Sequence, residues 1–177
     1  MANEEHKRLI TQGVNQWNTW RRENHDLNLT PDLSNIDLYN IDLRAVNFAF
    51  TNLSSANLVG ANLGGVNLFG ADLTDANLYR GNLIKANLTK ANLTEVIFVE
   101  VLFKETDFMH AVFAHTVLAN LDLRECKNLS TIRHKGPSTI GIDTLVRSKG
   151  AIPVEFLRGV GLKESFIAFL GSLDYSS

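Results

Sequence analysis

The residues of this 177-residue chain that could do chemistry are few, and most recur at a fixed interval. Aspartate or asparagine stands at every fifth position from Asp32 to Asn92, a density that invites a reading as paired carboxylates for acid–base catalysis. Their regularity argues instead for a repeated structural role. The five histidines are His6, His25, His110, His115 and His134; His110 and His115, five apart, follow the same interval rather than standing side by side, and the five together make no metal-ligand set. The single cysteine, Cys126, has no identifiable base to make it a nucleophile, so a place in the core or at its edge is expected. Gly60, Gly64, Gly65 and Gly70 fall inside the same rhythm rather than in a phosphate-binding loop. The glycosylation-type tripeptides at Asn28, Asn52, Asn87, Asn92 and Asn128 are by-products of the repeat. We therefore expect no catalytic residue, cofactor or metal site, and no enzyme.

The rhythm has a core behind it. Every fifth residue from Leu33 to Leu123 is Leu or Phe, and Phe48, Phe98, Phe103, Phe108 and Phe113 are the phenylalanines. Two residues before each stands a mostly small residue, such as Ala56, Ala61, Ala71, Ala76, Ala86 or Ala91, giving the consensus Ala-(Asp/Asn)-Leu-X-X. An α-helix cannot use this pattern, because five residues advance it by about 500° and would spread the leucines around all sides. A flat strand fails too, since an odd spacing alternates faces. The pattern fits a chain that turns a corner every five residues and always points the same side chain inward. Four corners close a square coil of twenty residues, and successive coils would stack about 4.8 Å apart. Residues 31–125 are 95 positions, or about 4.75 coils.

The array resembles the pentapeptide-repeat family, whose fold is a right-handed quadrilateral β-helix; the handedness is implied by the resemblance. Residues twenty apart should then be neighbours. Leu33, Leu53, Leu73, Leu93 and Phe113 would form one inward ladder, and Arg80 would lie over Glu100 and Lys85 over Glu105. Phe98, Phe103, Phe108 and Phe113 would make one aromatic layer, either stiffening the core or marking a dimer contact. Some members of the family mimic DNA and bind gyrase, but a net charge of -5 over residues 31–125, with outward Arg44, Arg80, Lys85, Lys90, Lys104 and Arg124, fits that role poorly.

A solenoid exposes two apolar ends with unpaired backbone and needs covers there. Residues 1–30 are read as an N-terminal capping helix, with Asn3 as its N-cap and Trp17 and Trp20 as plugs over the first coil. Residues 126–177 are read as a small helical subdomain, net +3. Ser138 would cap a first helix running to Arg147, Pro153 would open a second ending near Gly159, and Leu162 to Leu173 would form a third. This tail is similar to the segment that joins some cyanobacterial arrays to a Toll/interleukin-1-receptor-type domain, through Gly136-Pro137-Ser138, Ile142-Asp143, Leu157-Arg158-Gly159 and Gly161-Leu162. That resemblance implies a sensor or linker portion of a signalling protein. The segment before the array resembles cyanobacterial members as well.

Hydrophobic residues at 45% and charged residues at 20% are enough for a packed core, and a net charge of -2 disfavours direct nucleic-acid binding. No apolar run approaches the roughly 18 residues of a membrane helix, and no secretory signal is read, so a cytoplasmic location is expected. What varies is the outward pair of each repeat. One side would display Tyr39, Val59, Tyr79, Val99 and Ala119 in line, and a second Phe50, Phe69 and Met109. The first stripe is either a face for a protein partner, a second copy included, or a surface covered by the chain's own tail or a flanking segment.

Overall fold

The computed structural model describes residues 3–25 and 29–175, so the tripeptide at Asn28 lies outside the described residues. All nineteen Leu and Phe residues from Leu33 to Leu123 are buried inside a continuous coil. Each side turns because the inward carbonyl accepts a hydrogen bond from the small residue three positions on, as Leu58 O does from Ala61 N at 3.0 Å. Closing that turn drives the second outward residue into the left-handed region. Every fifth residue from Asn35 to Asn120 has positive φ, for example 59° at Lys85, and only Gly60, Gly65 and Gly70 among them are glycine. A side chain there costs roughly 1–2 kcal/mol.

Bonds between coils offset that strain. Leu33 N donates to Asn52 O at 2.8 Å and Asn52 N to Pro31 O at 2.8 Å, and parallel bridges join residues twenty apart from Asp32↔Asn52 to Asn92↔Val112. The exposed pairs follow the same register, with Arg80 Nε 2.6 Å from Glu100 Oε2 and Lys85 Nζ 3.9 Å from Glu105 Oε1. Where β-branched residues replace asparagine, the bridges lengthen into strands: β1 (Ile97–Val99), β2 (Val112–Phe113) and β3 (Val117–Ala119), with β1 and β3 parallel.

The ladder does not stop at residue 125. Asp107 bridges Lys127, Val112 pairs with Arg133 and Val117 with Thr139, so the offset grows from 20 to 21 to 22 residues. The extra residues fall around a short 3-10 turn, Leu129–Thr131, and around Pro137. They hide the period while β4 (Arg133–His134) and β5 (Thr139–Ile140) continue the coil.

The N-terminal segment forms two helices rather than one. Asn3 Oδ1 accepts from Glu5 N at 2.9 Å and starts α1 (Glu4–Thr11); Gly13, at φ 111°, breaks the helix before α2 (Val14–Glu23). Both lie on the first coil. Trp17 is fully buried, its Nε1 donates to Asn47 O at 2.7 Å and its ring meets Phe48 edge-on at 5.5 Å. Asn18 Oδ1 accepts from Asn47 N at 2.8 Å, so helix side chains satisfy both backbone groups of that residue. Trp20 is half-buried against Trp17.

At the other end, three short helices follow β5: α3 (Ile142–Arg147), α4 (Val154–Gly159) and α5 (Glu164–Gly171). α3 begins four residues after Ser138, because the Ser138 hydroxyl instead accepts from Thr116 N at 3.3 Å, its own N–H donates to Val160 O at 3.2 Å, and Thr139 and Ile140 enter the ladder. Pro153 takes the N-cap of α4 rather than its first turn. Thr144 and Ser148 hydroxyls accept from Leu121 N and Leu123 N at 3.2 and 3.1 Å, closing the last side. Beneath them Phe98, Phe103, Phe108 and Phe113 form a closed ring, with neighbouring centroids 5.1, 5.3 and 6.1 Å apart and Phe98 to Phe113 at 6.4 Å.

Two substitutions test this frame by urea unfolding. Phe103→Ala should lose about 3–5 kcal/mol by opening the aromatic ring. Ala45→Gly, at an exposed corner with φ 55°, should gain about 1 kcal/mol.

Candidate interaction face

The Asp/Asn positions are occupied by structural work. Each side chain accepts from the backbone N–H two residues on, closing the corner, as Asn82 Oδ1 does from Ile84 N at 3.0 Å. At six of the stacked positions the asparagine amide of the next coil also donates down the stack, as Asn57 does to Asp37 at 2.8 Å, Asn82 to Asn62 at 3.0 Å and Asn92 to Asp72 at 3.1 Å. Asp42 and Asp122 are held by Arg44 and Arg124, whose guanidinium hydrogen bonds keep both carboxyls below the usual carboxylate range. Each of these side chains is thus engaged in a hydrogen bond of the frame.

Cys126 sits half-buried at the position that Thr116 and Thr106 occupy two and four repeats earlier. Each of the three donates to the carbonyl 23 residues before it: Thr106 to Leu83 O at 2.6 Å, Thr116 to Leu93 O at 2.8 Å, and Cys126 Sγ to Phe103 O at 3.7 Å. Burial, with Asp122 and Glu125 nearby, pushes the thiol up to about 12. Among the described residues, no three His, Cys, Asp or Glu side chains converge as a metal site, and no helix is long and apolar enough to cross a membrane.

A corner every five residues and a bridge every twenty together define four outward sides, and one carries the stripe. Tyr39 is 64% exposed; Val59, Tyr79, Val99 and Ala119 are half-buried. Tyr39 and Val59 line an open depression with Ser55, Asn57, Asp75 and Asn77. The Arg80 guanidinium lies 4.9 Å from the centre of the Tyr79 ring while also reaching Glu100, which fixes it beside the stripe. Ile97, 37% exposed, adds to the apolar edge. At Ala119 the tail runs alongside, where β5 pairs with β3 and Gly141 lies against Ala119.

The sequence model of pentapeptide repeats matches residues 32–70 and 71–108, in eight copies. The array belongs to the pentapeptide-repeat family. Its coil is a β-helix, with parallel bridges between residues twenty apart. Among solved structures, a pentapeptide repeat protein (Rfr23) from the cyanobacterium Cyanothece 51142 is 39% identical over 43% of this chain, with a TM-score of 0.43. The present chain spans about half of that protein, 52% of its length. A pentapeptide repeat protein of the Arabidopsis thaliana thylakoid lumen is 22% identical over 73% of this chain and 86% of its own, with a TM-score of 0.39. QnrB1, a plasmid-mediated fluoroquinolone resistance protein, is 15% identical over 80% of this chain and 84% of its own, also at 0.39. No curated protein sequence matches the chain.

On the pentapeptide array, the Phe50, Phe69 and Met109 side is smaller. Phe50 meets Phe69 edge-on at 5.2 Å and lies against Gly70, and Lys90 Nζ is 5.4 Å from the Phe69 ring centre. Several exposed apolar positions escaped the sequence reading, Leu102, Ile142 and Val146 among them. Leu102, 55% exposed, takes an Asp/Asn position and was legible as a break in that rung. Ile142 and Val146 are 74% and 60% exposed, four apart on α3, and became visible only once α3 was placed.

The Cys126 geometry gives a direct test. In the native protein at about pH 8, thiol reagents should label Cys126 only after denaturation. Cys126→Thr should fold with stability within about 1 kcal/mol of the parent, since its hydroxyl can repeat the Thr106 and Thr116 bonds.

Proposed function

We propose that the pentapeptide array is a non-enzymatic scaffold that binds another protein through the side carrying Tyr39, Val59, Tyr79 and Val99. The observation that carries this reading is the alignment of the stripe. One aromatic or aliphatic side chain per coil, held on a rigid frame, presents contact area with little conformational entropy left to lose on binding. Tyrosine suits such a role because its ring supplies apolar area and its hydroxyl a polar handle. Arg80, fixed beside Tyr79, adds an oriented charge at the rim.

The backbone of the side does not depend on what the outward residues are, so they can be changed without loss of the fold. Tyr39→Ser with Tyr79→Ser should leave urea stability within about 1 kcal/mol and weaken capture of the partner from a bacterial lysate by tenfold or more, roughly 1.4 kcal/mol or beyond. Lys90→Ser with Met109→Ser, on the opposite side of the coil, serves as control and should retain it. Equal capture by the parent and the tyrosine double variant would remove the stripe as the binding face. Sedimentation equilibrium of the same proteins separates a foreign partner from a second copy, since a dimer abolished only in the tyrosine variant assigns the stripe to self-association.

A further inference from the structure

His134 occupies β4 on the seam between the last coil and the C-terminal helices. Its ring stands edge-on to Phe113, the last member of the aromatic ring, at 5.9 Å, and to Phe156 of α4 at 5.4 Å, while those two phenylalanines meet at 6.0 Å. Gly159, the last residue of α4, closes the slot, and a Cβ there would overlap the imidazole. Both ring nitrogens are shut off from solvent, and neither has a hydrogen-bond partner. His6, buried at the opposite end, differs: its Nδ1 accepts from Asp32 N at 3.0 Å.

No charge compensates the site. Arg133 and Lys135 flank His134 on its own strand, Glu155 and Arg158 lie on α4, and His110 and His115 flank β2. None of them bonds to the ring, and Arg158 is engaged by Glu164 of α5. Burial alone holds the imidazole below its ordinary value. The neutral ring fits this slot as an aromatic, whereas imidazolium would bring two N–H donors and a charge into a cleft that offers no acceptor.

We propose that this seam is a pH-sensitive joint, in which protonation of His134 releases α3–α5 from the end of the array. With the seam open the imidazole meets water and titrates near its ordinary value of about 6.5; with the seam closed it titrates lower. The open form therefore binds more protons, so closure is fully favoured above about pH 6.5 and weakens as pH falls through that value towards the closed-state one.

Hydrogen exchange of the full chain, corrected for intrinsic rates, tests the joint at about pH 7.5 and about pH 5.0. Residues 142–171 should lose protection on acidification by the factor that separates the open-seam from the closed-seam titration of His134, while residues 53–113 keep theirs. His134→Phe, which keeps a flat ring, and His134→Leu, as a second variant, should abolish that loss. The proposal is overturned by an equal loss in a folded variant, by no loss in the parent, or by array and helices opening together. If neither variant folds, an NMR titration of His134 in the parent decides, and a value at or above the ordinary one refutes the joint.

Discussion

Each coil of this chain hangs on backbone hydrogen bonds between residues about twenty apart. Leu53 N to Asp72 O, at 2.7 Å, is one rung of a ladder that the inward leucines hold in register. For that rung to recur, the chain must complete one square turn in the same number of residues every time. The corner that achieves this places a non-glycine residue in the left-handed region on nearly every side. The strain is repeated because the pairing and burial it permits are repeated. Once the ladder exists, both ends are open edges, and the rest of the molecule can be understood as their closure. Trp17 and Asn18 meet Asn47 at one end, and Thr144 and Ser148 meet Leu121 and Leu123 at the other.

The same constraint separates frame from display. A corner needs a side-chain acceptor for the N–H two residues on, and asparagine or aspartate provides it while bonding to the coil below. Residues that would count as chemistry elsewhere are therefore consumed by the frame. Only the outward pair of each repeat is unconstrained by the core. Charge, aromatic rings and apolar area on those pairs are the part of the molecule that can be specific to a partner.

How legible this was in the sequence follows the same division. A strict five-residue period with one inward residue type admits few backbones, so the coil and its register could be read directly, including Arg80 beneath Glu100. The role of the Asp/Asn position was seen only as regular, since its two hydrogen bonds depend on corner geometry that spacing alone does not reveal. Beyond Cys126 the reading weakened because two inserted residues dephase the repeat, so Thr139 and Ile140 look like a helix lead-in although they form a strand. Ser138 carried a capping signal, but Thr116 N was the stronger claimant for its hydroxyl. Gly13 lies inside the segment read as a single capping helix, yet its positive φ splits that segment into two helices. For the candidate face, the alignment of Tyr39 with Tyr79 was readable, whereas exposure was not, because it depends on where the tail runs.

The division between an indifferent frame and one specific side can be tested with a photo-cross-linking residue placed singly on each of the four sides. Suitable positions are Asn35, Tyr39, Lys85 and Met109, with the fold of each variant verified by circular dichroism. Cross-links to one common partner from position 39, with the other three positions silent, are the expected result. Equal cross-linking from all four sides, or cross-links from every side except that of Tyr39, would contradict it.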